Sequence, residues 1–137
     1  MFAFHLLSLI LTFFAITPTL AKPLYLLDRD SVSPPITYPT AGAVWKVGET
    51  QTITWDVAAL NGAQPSNPQG KILLGVLYAN GTERLDYDNP LVSGFPILGG
   101  NVSLTVPSVS TGENYIICLL GSSGDISPSF TIVSADQ

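Results

Sequence analysis

The chain of 137 residues contains one histidine, one cysteine and one methionine, and only 11% of its residues are charged. Each scarcity removes a class of chemistry. Cys118 is the single cysteine and cannot close a disulfide within the chain, so the fold must be held by packing. It lies in the apolar run "YIICLL", where a buried thiol behaves as a small hydrophobe rather than as a nucleophile. The single histidine, His5, falls in a leader-like N-terminus; with that leader removed, none remains. Ser-His-Asp and Cys-His machinery is thereby excluded, as are histidine-based zinc or copper sites, including one built on an N-terminal histidine. No cofactor or metal is expected. Basic residues are also few, 5 against 10 acidic ones, for a formal net charge of −5. That balance disfavours nucleic acid and anionic membrane surfaces as partners.

Long apolar runs are confined to the start, "MFAFHLLSLILTFFAITPTLAKP". Leu6 to Ile16 is almost wholly apolar, and Thr19-Leu20-Ala21 offers the small-residue pattern of a signal-peptidase site. The run is shorter than the roughly 20 residues needed to span a bilayer. We therefore expect a signal peptide over 1–21, cleavage after Ala21, and a soluble, exported mature chain. The remainder is of a size to bury one core, and one folded domain is expected.

Residues 22–35, "KPLYLLDRDSVSPP", mix an apolar cluster, a charged triplet and three prolines without helical or clean strand periodicity. They read as an N-terminal arm. Beyond it, short runs of strand-forming residues recur between Gly, Pro, Asn and Ser clusters. These are Ala43 to Val47, Thr50 to Val57, Lys71 to Tyr78, a weaker Thr82 to Tyr87, Asn101 to Val106, Asn114 to Leu120, and Phe130 to Val133. No stretch reads as a helix. About seven strands over 36–134, with 135–137 as a tail, predict an all-β immunoglobulin/fibronectin-III-like sandwich.

Period-two alternation sorts the faces. Ile53, Trp55 and Val57 point one way from "TQTITWDV", and Val102, Leu104 and Val106 one way from "NVSLTV". "KILLGVLY" is apolar on both faces, as a central strand should be, and Gly75 marks a bulge or a close backbone approach. The expected core includes Ile53, Trp55, Val57, Leu104, Tyr115, Cys118 and Phe130. Asn80-Gly81 is the strongest short hairpin signal and predicts a type I′ turn. "NGAQPSNPQG" reads as a long loop, and Asp86 to Gly100 as a crossover between sheets.

Three groups of residues could carry chemistry. Asp86 and Asp88, in "RLDYDN", could share one face of a strand as a carboxylate pair for glycoside hydrolysis, but a solvated edge or turn is the favoured reading. With Asn89 they also offer oxygens to calcium, without the spaced ligand set and glutamate of a calcium loop. The sequons Asn80-Gly81-Thr82 and Asn101-Val102-Ser103 predict N-glycosylation at Asn80 and Asn101, one on a hairpin turn and one on a wet strand face. Of the two tryptophans, Trp55 belongs with Ile53 and Val57 in the core. Trp45 alternates with Ala43 and Val47, which favours the core, but it follows a glycine-containing turn where an exposed ring could contact a glycan.

The stretches "ITYPTAGAVWKVGETQTITWD", "KILLGVLYANGT", "NVSLTVPSVSTGENYIICLLG" and "SPSFTIV" resemble the N-terminal immunoglobulin-like domain of the fungal KRE/KNH-type cell-wall synthesis family. The resemblance runs from about Ile36 to Val133. Its most specific residues are Pro39, Gly42, Trp45, Gly48, Ile53 and Trp55, then Pro107, Gly112, Tyr115 and the set Ser127, Pro128 and Phe130. It implies a β-sandwich exported to the fungal wall and linked to β-1,6-glucan assembly, with no catalytic residues to carry over. Unlike many relatives, this sequence shows no long Ser/Thr-rich region and no hydrophobic tail after the last strand, so no membrane anchor is expected. The leading expectation is a secreted non-catalytic module, in the extracellular space or cell wall, that binds wall polysaccharide. The alternatives are a module that docks on another secreted protein through a sheet edge or the apolar arm, and a glycan-active enzyme using Asp86 and Asp88.

Overall fold

The computed structural model describes residues 33–136. The expected signal peptide over 1–21 and most of the arm lie outside the described residues. Ten strands and two short 3-10 turns run in the order β1 (Ile36–Tyr38), β2 (Val44–Lys46), β3 (Thr50–Trp55), the turn Val57–Leu60, β4 (Gln69–Leu77), β5 (Glu83–Leu85), β6 (Val92–Pro96), the turn Ile97–Gly99, β7 (Asn101–Thr105), β8 (Gly112–Leu120), β9 (Gly124–Ile126) and β10 (Phe130–Val133). All seven runs read from the sequence are strands. The three further ones, β1, β6 and β9, are too short or too rich in Gly, Pro and Ser to stand out before a neighbour pairs them.

The strands form two sheets. One has the order β1-β3-β7; the other has the order β2-β10-β8-β4-β5, with β6 beside β4 and β9 beside β8. Pairing is antiparallel except for β2 and β10, which run parallel. The stretch expected to be a crossover does more than cross: Val92–Pro96 pairs with the first half of β4, while β5 pairs with its second half. One long central strand thus serves two partners along the same side.

The core lies between the sheets. Ile53, Trp55, Leu104 and Val106 from one layer meet Trp45, Ile72, Phe95, Ile117, Leu119, Phe130 and Ile132 from the other. Trp55 packs on Phe95 with ring centroids 5.5 Å apart, and its Nε1 donates to the Ile97 carbonyl at 2.6 Å. Trp45 is fully buried, packs against Phe130 with ring centroids 4.4 Å apart and planes tilted by 47°, and donates from Nε1 to the Tyr38 hydroxyl at 3.3 Å. The outer face of the small sheet is wet, and there Thr52 and Ser103 share a hydroxyl hydrogen bond of 3.0 Å.

Several sequence readings are corrected in detail. Val57 is not on the inward face of β3: the strand ends at Trp55, and Val57 opens a 3-10 turn, half-buried, whose Leu60 is the residue driven inside. Tyr115 is also half-buried against the core rather than within it. Its hydroxyl donates to the Ser110 carbonyl at 2.6 Å, the tyrosine-corner arrangement of immunoglobulin-like sandwiches. The Asn80-Gly81 hairpin is not type I′, because only Gly81 has positive φ, at 83°. The Gly81 N–H donates to the Tyr78 carbonyl and the Tyr78 N–H to the Thr82 carbonyl, both at 2.9 Å. This is a three-residue loop, a type I turn closed by a left-handed glycine. Gly75 marks a close approach and not a bulge, since its pairing with Leu85 is in register. A Cβ there would lie 2.6 Å from Leu85 Cδ2 and 2.7 Å from the Arg84 carbonyl oxygen.

Candidate functional site: a trough beside the tyrosine corner

The large sheet is wider than the small one, so part of its inner surface is left uncapped. β4 presents Leu74 and Val76 there, the corner that precedes β8 adds Val109, and β8 adds the ring of Tyr115. Arg84, Leu85, Asp86, Tyr87 and Asp88, at and just beyond the end of β5, make the facing wall. They enclose an open groove of about 480 Å³ with an apolar floor and a charged rim. A second depression of about 150 Å³, lined by Val76, Gly112, Glu113, Asn114 and Tyr115, adjoins it. Val76 and Tyr115 line both depressions. Tyr87 stands on the rim with 64% of its surface exposed.

Local chemistry explains how the wall is held. Asp86 Oδ1 accepts the backbone N–H groups of Asp88 and Asn89, both at 3.2 Å. The Asn89 side-chain amide donates to both oxygens of the same carboxylate, at 3.3 and 3.2 Å. Asp86 is therefore the staple of a turn that projects Tyr87 and Asp88. Its N–H continues the β4 pairing by donating to the Leu74 carbonyl at 2.9 Å. Asp86 and Asp88 lie beyond the end of β5 in an exposed turn, the favoured reading of that stretch, and do not share a strand face; the Asp86 carboxylate is engaged by its own turn. The calcium reading of Asp86, Asp88 and Asn89 fares no better: the Asn89 side chain presents its amide N–H groups to that carboxylate, and no group of three or more His, Cys, Asp or Glu suited to a metal occurs among the described residues.

The other sequence candidates lie elsewhere. Asn80 is exposed at the hairpin tip, where its Oδ1 accepts the Thr82 N–H at 2.9 Å. Asn101 is exposed on the outer face of β7, opposite Thr54. Trp45 is withdrawn as a glycan contact: with no exposed surface it is a core residue that anchors β2 to β10. The trough itself was missed by sequence reasoning apart from Asp86 and Asp88. Its floor residues look like ordinary core positions, and only the narrower opposing sheet leaves them open.

No family model matches the chain and no curated protein matches it. Among solved structures, the fibronectin(III)-like modules of CbhA from Clostridium thermocellum are similar at 17% identity with a TM-score of 0.36, over 73% of this chain and 92% of that one. The class follows from the strand order described above: an all-β, two-layer sandwich of the immunoglobulin/fibronectin-III kind.

Proposed function

We propose that this chain is a secreted, non-catalytic sandwich module of the cell wall or extracellular matrix that binds a polysaccharide along the trough. The trough is the observation that supports it. A sugar ring has apolar faces and a hydroxyl rim, and the trough pairs an apolar, aromatic floor with Arg84, Asp88 and Glu113 as hydrogen-bonding groups at its edge. Two neighbouring depressions that share Val76 and Tyr115 offer places for more than one sugar residue. The resemblance to the KRE/KNH-type family names β-1,6-glucan as the first polymer to try and the fungal wall as the place. Engagement of the Asp86 carboxylate in its turn speaks against a hydrolytic pair with Asp88.

The secreted protein should be retained on insoluble β-glucan or chitin at near-physiological salt. The double variant Tyr87→Ala, Asp88→Ala should elute early with its melting temperature unchanged. Failure of the wild-type protein on every preparation would sink polysaccharide binding, and equal retention of the variant would move binding away from the trough. Export carries its own test. Glycans on Asn80 and Asn101 should slow electrophoretic migration until N-glycosidase treatment, and an unglycosylated secreted form would contradict that part.

A further inference from the structure

The amide of an asparagine side chain lies within reach of the backbone nitrogen of the residue that follows it, and attack by that nitrogen closes a five-membered ring. Which asparagines can react depends on the next residue and on what holds the two groups. Asn67 and Asn89 precede Pro68 and Pro90, whose nitrogens carry no proton to give up. Asn101 and Asn114 precede Val102 and Tyr115, whose side chains crowd the nitrogen, and both are fixed in β7 and β8. Asn61 and Asn80 precede glycine, which crowds the ring least.

The fold treats these two Asn-Gly pairs differently. At the β4–β5 hairpin both reacting groups are held: Asn80 Oδ1 accepts the Thr82 N–H at 2.9 Å, and the Gly81 N–H donates to the Tyr78 carbonyl at 2.9 Å. Asn61 instead lies between the Val57–Leu60 turn and β4, outside any strand. Its φ and ψ are 50° and 37°, a left-handed conformation. Asn61 and Gly62 are both exposed, and no atom lies within 4 Å of where a Gly62 side chain would begin. The N–H groups on either side, those of Asn61 and Ala63, donate to the Ala58 and Leu60 carbonyls at 3.1 and 2.9 Å, whereas among the described residues the Gly62 N–H donates to no backbone carbonyl. The Asn61 amide makes one long contact, 3.5 Å from Nδ2 to the Ala59 carbonyl. Nucleophile and amide are thus left free at Asn61 and tied down at Asn80.

We propose that Asn61 is a site of spontaneous deamidation and that the hairpin protects Asn80 from the same reaction. The Gly62 nitrogen gives up its proton and bonds to Asn61 Cγ; the Cγ–Nδ2 bond breaks, and ammonia leaves with that proton. Water then opens the succinimide at one carbonyl or the other, leaving aspartate or isoaspartate. Either product adds a negative charge to a chain whose formal charge is −5. Isoaspartate also inserts a methylene into the backbone directly after Leu60, which is 6% exposed. The turn that seats Leu60 in the core is thereby loosened as the protein ages. This inference is independent of the polysaccharide reading.

The test compares the two asparagines within one molecule. N-glycosidase would itself convert a glycosylated Asn80 to aspartate, so the sequon is removed by Thr82→Ala, which leaves the backbone groups of the hairpin in place. The purified full-length variant is incubated in mildly alkaline buffer, and peptide mapping by mass spectrometry follows loss of each amide. Two hydrogen bonds must open before Asn80 reacts, so Asn61 should convert faster by about tenfold or more. In concentrated urea the two rates should converge. Equal rates in the native protein overturn the proposal, and so does a native ratio that persists in urea, since neighbouring sequence and not the fold would then set it. A second measurement needs no substitution: after the same incubation of the natural chain, isoaspartyl methyltransferase should label the peptide that carries position 61. Absence of label there overturns the proposal as well.

Discussion

Replacing Trp55 by phenylalanine and, separately, by alanine tests how the core is built. The indole is 4% exposed, lies 5.5 Å from the Phe95 ring, and donates at 2.6 Å to the Ile97 carbonyl. Without that donor the carbonyl keeps a 3.4 Å contact from the Gly100 N–H. A buried group that loses its good partner costs about 1–3 kcal/mol, and the smaller ring adds a cavity term. The Trp55→Phe loss should therefore fall at about 2–3 kcal/mol. Trp55→Ala removes the ring contact as well and should cost about 3–5 kcal/mol, a large part of the roughly 5–15 kcal/mol that holds a typical domain together. Urea unfolding followed by far-UV circular dichroism gives both numbers. Trp45 remains as an independent fluorescent reporter. The thermal midpoint should drop by about 8 °C or more for Trp55→Phe. A Trp55→Phe loss below about 0.5 kcal/mol, with unchanged m-value, would refute the buried indole hydrogen bond. Equal losses for the two variants would refute the ring packing.

Burial, reinforced by the negative charges of Asp125 and Glu83, pushes the Cys118 thiol up from its ordinary 9.0 to about 11. The native state thus holds its proton more tightly than the unfolded chain, so stability is unaffected below pH 9 and declines as pH rises from about 9 toward about 11. Urea midpoints measured across that window should fall less steeply in Cys118→Ala; parallel curves would count against a buried thiol. Gly75→Ala should destabilise by about 1–3 kcal/mol in the same assay, because its Cβ would meet the Arg84 carbonyl oxygen and Leu85; a neutral effect would mean that β5 can move aside. Asp86→Ala should cost about 1 kcal/mol by removing the acceptor of its turn, while Asp88→Ala stays within about 0.5 kcal/mol. The reverse order in thermal melts would reassign the staple.

Alternation along "TQTITW" and "NVSLT" was enough to place Ile53, Trp55 and Leu104 inside, because a strand has only two faces and one of them is wet. Turn chemistry likewise located the hairpin at Asn80-Gly81 but gave the wrong turn type, since the loop has three residues and only Gly81 takes positive φ. The double-sided apolarity of "KILLGVLY" marked a central strand without saying what would cover each face. Trp45 could not be resolved locally: three residues of strand carry too little pattern, and its burial depends on the parallel pairing of β2 with β10, at the far end of the chain. The trough was illegible for a related reason. Leu74, Val76 and Tyr115 have the composition of core residues, and among the described residues the opposing sheet has three strands where theirs has seven, which leaves them open. Composition and periodicity fix which side of a strand avoids water, since that choice is local. How far the second layer extends over the first is set by pairing between residues distant in sequence, and the position of a binding surface follows from that.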